Sequence, residues 1–157
     1  MSPSIPDKAQ ITVRRIKQFS FYMNEMLFAQ KQSEKKERLV KIEIAIKLSF
    51  TIETNLVFLM CRVFYHVPES SEQHNVIADI QVQNVFEVSD LKQFQINPSE
   101  ILLPPSAIST IVGLSISHTR ALLANNIAGT LIQENLIDII DSTHLAKHFF
   151  PKMFEAN

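Results

Sequence analysis

The stretch Lys41-Ile42-Glu43-Ile44-Ala45-Ile46-Lys47-Leu48-Ser49-Phe50-Thr51-Ile52-Glu53 decides the fold class. Every even position carries a branched or aromatic apolar side chain. Every odd one carries a charge, a hydroxyl or the small Ala45. A period of two places the two sets on opposite faces of a strand, one dry and one wet. At ~3.3 Å per residue the strand spans about 40 Å. Downstream, Thr54-Asn55 suits a tight turn. Leu56 to Val67 is apolar at both parities (Val57, Phe58, Leu59, Met60, Cys61, Val63, Phe64, Tyr65), which predicts a strand covered on both sides. Pro68 to His74 is polar and turn-forming, and Val76 to Val88 alternates again. Three long strands with short connections predict an antiparallel meander.

Upstream, Ile11, Val13, Phe19 and Phe21 keep the rhythm, while Arg14-Arg15 and Ile16 break it. A strand that bulges there is expected. Tyr22 to Gln32 either continues the strand or forms a short helix. Residues 1–9, with Pro3 and Pro6, read as a flexible N-terminus, so strands occupy 10–90. After Asp90 the period changes. Asn97-Pro98 and Pro104-Pro105 punctuate a connection, and Ile108, Ile111, Val112, Ser115, Ile116, Thr119, Leu122 and Leu123 recur at helical spacing. A long helix over 103–128 follows, with proline in its first turn and Gly129 as a stop. A second, amphipathic helix is predicted over 134–150.

From Leu103 to Gln133 the only charged residue is Arg120. A helix without a solvated face needs cover on more than one side. One sheet supplies one side, and another subunit is the simplest source of the rest. The predicted subunit interface is therefore Ile108, Ile111, Val112, Ser115, Thr119 and Leu122. Ile101 to Thr119 is free of charge, but it holds two prolines and six Ser or Thr, so it reads as a helix buried against protein and not as a membrane insertion.

The 157 residues, 46% apolar and 20% charged, suffice for one core-forming domain, residues 1–157. Two glycines, Gly113 and Gly129, are too few for a dinucleotide fingerprint or a phosphate-binding loop. One cysteine, Cys61, allows no intrachain disulfide and suits a reducing, cytoplasmic setting. No secretory signal is visible. The net charge of −1 hides a split: residues 1–41 hold nine Lys or Arg against four acids, the rest six against twelve. The basic stretch Lys31 to Lys41 has no interleaved aromatics, so no nucleic-acid platform is expected there.

Chemistry-bearing constellations are sparse. His144 and His148 stand four apart with Asp141 three before, a spacing that on a helix can hold a metal but equally describes an exposed polar face. Ser117 and His118 are sequence neighbours and point apart on a helix, which is no nucleophile–base pair. Cys61 in an apolar strand reads as an inert core thiol. The expectation is therefore a protein that is not an enzyme, with no cofactor and no metal. Eleven phenylalanines are the more informative set. Most belong to a core, and some can line an exposed groove for varied apolar partners.

With these elements in order, the chain resembles the SecB export-chaperone family. Ile80-Gln81-Val82-Gln83-Asn84-Val85-Phe86-Glu87-Val88 is similar to that family's fourth strand. Asn97-Pro98 followed by Ile101-Leu102-Leu103-Pro104 is similar to its entry into the long helix. Ile108 to Ala124, with Ser117-His118-Thr119-Arg120, resembles the long helix of its divergent members. The likeness runs from Ile11 to Phe150 and is specific between Ala78 and Gly129. It implies an α+β fold: a four-stranded antiparallel sheet with the long helix and a shorter C-terminal helix on one face. It implies a homotetramer, as a dimer of dimers. It also implies ATP-independent holding of unfolded polypeptides or preproteins for export, or of one dedicated partner such as an antitoxin. The residues assigned to a client groove are Phe19, Phe21, Phe58, Phe64, Phe86, Phe149 and Phe150. The family's surface for a SecA-type translocase motor is strongly acidic, whereas Lys41, Glu43, Lys47 and Glu53 are mixed here. The competing reading from another class is a small oligomeric enzyme or ligand-binding protein using His118, or Asp141 with His144 and His148.

Overall fold

A computed structural model describes residues 8–33, 40–66, 76–134, 137–138 and 140–155. The expected flexible N-terminus up to residue 7, most of the basic stretch from Lys31 to Lys41 and the turn at 68–74 lie outside the described residues. Four long strands, β1 (Ile11–Met23), β2 (Lys41–Thr51), β3 (Leu56–His66) and β4 (Val76–Val88), form one antiparallel sheet in the order β1-β4-β3-β2. A short helix, α1 (Glu25–Ser33), follows β1. The Asn24 side chain accepts the Leu27 N–H at 3.0 Å at the start of α1, which ends the strand there.

The register of β2 against β3 is unbroken from Lys41↔His66 to Thr51↔Leu56, as the strict alternation of β2 requires. The connection is a 3-10 turn at Ile52–Thr54 with Asn55 in the left-handed region at φ 55°. Asparagine tolerates this conformation, and its side chain accepts the Leu91 N–H at 3.0 Å. β1 bulges between Val13 and Arg15, where the arginine pair breaks the pattern, and again between Gln18 and Ser20.

β3 differs from its sequence-based reading. Val57, Leu59, Cys61, Val63 and Tyr65 are buried, whereas Phe58, Met60 and Phe64 are half-exposed and Arg62 is exposed. Among the described residues the strand is covered on one side only, the side that carries Val57, Leu59, Cys61, Val63 and Tyr65.

A small hairpin, β5 (Gln95–Asn97) with β6 (Glu100–Ile101), leads into the long helix α2 (Pro105–Ile127). Pro105 takes its first position, and Gly129 beyond its end adopts φ 77°. By length and composition α2 could cross a membrane, yet here it lies on the sheet with Ile108, Ile111, Val112 and Leu123 buried. The C-terminal helix starts later than the predicted 134–150. α3 spans Ser142–Phe149 and α4 Lys152–Glu155. Asp141 ends the preceding segment by capping: its carboxylate accepts the N–H groups of Thr143 at 2.8 Å and His144 at 3.1 Å. Before it, the Ile137 carbonyl accepts the Arg120 Nε–H at 2.8 Å, which ties this irregular stretch to α2.

Candidate functional site

A groove of about 610 Å³ opens at the β2 edge of the sheet. Three segments build it. β2 contributes Leu48 and Phe50, which pair with the buried Leu59 and Val57 of β3 and so project to the helix side. The β5–β6 hairpin contributes Pro98 to Leu102, and the chain from Phe149 to Met153 closes the third side. Leu48, Phe50, Leu102 and Phe150 remain half-buried while packing against the core.

Local hydrogen bonds fix each wall. In the hairpin, the Asn97 Oδ1 accepts from the Ser99 N–H at 3.0 Å and hydroxyl at 2.9 Å. The Leu102 N–H donates to the Phe94 carbonyl at 2.8 Å. On the opposite wall, the Phe150 and Met153 N–H groups donate to the Ala146 and Phe150 carbonyls, which turns the chain sharply between α3 and α4. The rings of Phe149 and Phe150 sit 6.5 Å apart at 47°. The only charged residues of the described lining are Glu100 and Lys152, and they pair with each other at 3.1 Å. The Lys152 ammonium, helped by the Asn97 amide, holds the Glu100 carboxyl below the usual carboxylate range. The interior thus offers mainly apolar surface with the hydroxyls of Ser49 and Ser99, beneath a neutralised charged pair. Beside it, the outer edge of β2 has no neighbouring strand among the described residues, and such an edge presents a row of N–H and C=O groups for pairing.

Of the seven phenylalanines assigned to a groove, the structure brings two together there, Phe149 and Phe150. Phe86 is completely buried in the core beneath α2, since it lies on the inner face of the central strand β4. Phe58 and Phe64 point to the opposite, open face of the sheet. Phe19 is half in water, with the Lys17 ammonium 5.0 Å above its ring, and Phe21 packs against the core from β1. The groove residues that sequence reasoning missed are Leu48, Phe50, Ile101, Leu102 and Met153. Alternation put Leu48 and Phe50 on the dry face, but only the strand order reveals that this part of the face is uncovered.

The predicted subunit interface needs a similar correction. Ile108, Ile111, Val112, Ser115 and Thr119 are buried within the chain itself, against the sheet, and Leu122 is half-buried. The apolar stripe of α2 faces the nearest apolar surface, which is its own β-sheet. Its outward stripe is Ser106, Thr110, Ser117, Ala121 and Asn125, uncharged and exposed. α3 covers part of α2 at Gly113.

The remaining candidates are dispersed. The His118 Nδ1 lies 2.7 Å from the Oδ1 of buried Asn84, and burial pushes the imidazole below its ordinary value. Cys61 is buried and its thiol is pushed up to about 11 by desolvation. Asp141 is engaged as the α3 cap, and His148 stacks edge-on with Phe149. Among the described residues no group of three or more His, Cys, Asp or Glu gathers in metal-binding geometry.

No protein-family model matches the sequence, and neither does any curated protein sequence. Solved structures do match. The Rv1957 SecB-like chaperone from Mycobacterium tuberculosis, in complex with a ChAD peptide from the Rv1956 HigA1 antitoxin, is 11% identical with a TM-score of 0.54, over 83% of this chain and 89% of that one. A protein of unknown function from Streptococcus agalactiae is 6% identical with a TM-score of 0.44, over 76% of this chain and 89% of that one. The fold is therefore SecB-like: α+β, with a four-stranded antiparallel sheet carrying a long helix and a shorter C-terminal helix.

Proposed function

We propose that this protein is a non-enzymatic, cytoplasmic chaperone that holds extended, unfolded polypeptide without nucleotide. The observation that carries the reading is the groove beside a strand edge that has no partner strand among the described residues: mainly apolar inside, its described charged pair self-neutralised, with half-buried Phe50, Phe149 and Phe150 in the lining. An extended segment can pair its backbone with the β2 edge and insert alternate apolar side chains, a mode that rewards apolar character over sequence. The SecB-like fold supports the reading, and the neighbour solved with an antitoxin peptide favours one dedicated partner over general export. The test is aggregation of a urea-unfolded client followed by light scattering. Near-stoichiometric protein is expected to suppress it without nucleotide, and Phe50→Ser/Phe150→Ser is expected to remove most of the protection while the circular dichroism spectrum persists. Full protection by that variant would sink the groove assignment. Co-purification of one protein, against many, separates the dedicated holdase from a general or export one.

We also infer a homo-oligomer. The outward stripe of α2 carries no charge, and Val13 and Ile16 on the nearby edge strand are 40% and 42% exposed. A second copy is the simplest cover for such a surface. Light scattering at micromolar concentration is expected to give at least a dimer mass. Ser117→Glu/Ala121→Glu is expected to shift it toward the monomer, since like charges then face each other across the contact.

A further inference from the structure

The sheet face turned away from α2 contributes only Ser49 to the groove lining, and its charge is unlike that of the other described side chains. It carries Arg14, Arg15, Lys17, Lys41, Lys47 and Arg62 against Glu43, Asp79 and Glu87, a net of +3. The other described side chains hold five Lys or Arg against eight acids, a net of −3. The register shows how the positive charge is arranged. One rung crosses all four strands as Lys47, Met60, Gln83 and Lys17. The rungs on either side are Ser49, Phe58, Val85 and Arg15, and Ala45, Arg62, Gln81 and Ser20. These three central rungs hold four cations and no acid.

The acids lie beyond them and are engaged. Glu87 pairs with Arg14, Asp79 with the Arg62 guanidinium at 3.0 Å, and Glu43 with Lys41 at 3.1 Å. Among the described residues the cations at the strip's two ends have no acidic partner. Lys47 has no partner among the described residues, Lys17 rests on the Phe19 ring, and Arg15 reaches only the Gln83 amide at 3.4 Å. Between these ends lie half-exposed Met60 and Phe58.

We propose that this strip docks a short acidic polypeptide segment with carboxylates at both ends and apolar side chains between them. Three inter-strand spacings separate the Lys17 and Lys47 strands, about 14 Å, which an extended segment crosses in about five residues. Its carboxylates would meet Lys17 with Arg15 at one edge and Lys47 at the other, and its apolar centre would lie on Met60 and Phe58. A nucleic-acid strand fits less well. The faces of Phe19 and Phe64 are already occupied by Lys17 and Arg62, which removes stacking sites. A long polyanion would also run into Glu43 and Asp79 at one end of the strip and Glu87 at the other.

The test uses the full chain and fluorescence anisotropy with a labelled peptide EELFLEE, its counterpart KKLFLKK and an oligouridylate. EELFLEE is expected to bind with an affinity that falls as salt rises, and far better than KKLFLKK. Lys17→Glu/Lys47→Glu is expected to weaken it about tenfold or more. The groove variant Phe50→Ser/Phe150→Ser is expected to bind EELFLEE as the parent does, so this result stands whether or not the groove holds clients. Equal binding of the two peptides, an unchanged affinity after charge reversal, or displacement of the peptide by tighter-binding oligouridylate would each overturn the proposal.

Discussion

Phe86→Ala is expected to lower the unfolding free energy by about 3–5 kcal/mol, through lost transfer energy and the cavity left behind. Phe86 has no solvent exposure, it sits on the inner face of a central strand, and its register partners are Val57 and Val13. The surrounding sheet is hydrogen-bonded on both sides of β4 and cannot collapse freely into the void. A total stability of about 5–15 kcal/mol makes this a large share of the whole. Phe150→Ala should behave differently. Phe150 is half-buried at the groove, so about 1 kcal/mol is expected from its partial burial. Urea unfolding monitored by circular dichroism separates the two, and client protection per folded molecule should show the reverse ranking. A Phe86→Ala variant that unfolds at the parental urea midpoint would mean that this ring is not part of the core.

That contrast marks what the sequence could and could not convey. Burial by face was legible wherever alternation was strict: β2 and β4 were oriented correctly because a one-residue slip would invert every side chain. The change of period after Asp90 located α2, and its proline-rich start and Gly129 bounded it to within a residue or two. Cover was not legible. β3 is apolar at both parities, yet one of its faces is half-exposed, because among the described residues no helix packs on that side. Phe58, Phe64 and Phe86 share a residue type and apolar strand surroundings, but two destinations, open face for the first two and core for the third, follow from strand order and helix placement. The groove needed still more. Its walls come from β2, the β5–β6 hairpin and the α3–α4 turn, about fifty residues apart from one to the next, and no local pattern records that they meet.

The shortage of charge in α2 illustrates the same boundary from the energetic side. A helix with a single cation does need cover beyond one sheet. Part of that cover comes from α3, an eight-residue helix that packs at Gly113. The inference from composition to burial was sound. The chain itself supplies the nearer cover, and the outward stripe from Ser106 to Asn125 is what α2 leaves for another copy.

Gly113→Ala is expected to dislodge α3, and Ser142→Gly is expected to restore it. A Cβ added at Gly113 would stand 2.9 Å from the Ser142 Cβ and 3.2 Å from its hydroxyl. A hydroxyl can rotate away, but a Cβ is fixed by its backbone, so the start of α3 has to move. Two opposing effects set the sign. Alanine in a helix interior is favoured over glycine by about 1 kcal/mol. Overpacking a rigid contact costs about 1–3 kcal/mol, and the clash dominates. The segment before α3 resists displacement through the Asp141 cap and the Arg120–Ile137 bond, so the strain passes along the helix. At ~1.5 Å per residue its far end lies about 12 Å away, where Phe149 and Phe150 form a groove wall. Gly113→Ala should therefore lower both the thermal midpoint and client protection. In Gly113→Ala/Ser142→Gly both clashing atoms are gone, and the propensity gained in α2 offsets that lost at the first residue of α3, so stability should return close to the parental value. Additive effects of the two substitutions, with no rescue, would show that α3 does not depend on this close approach.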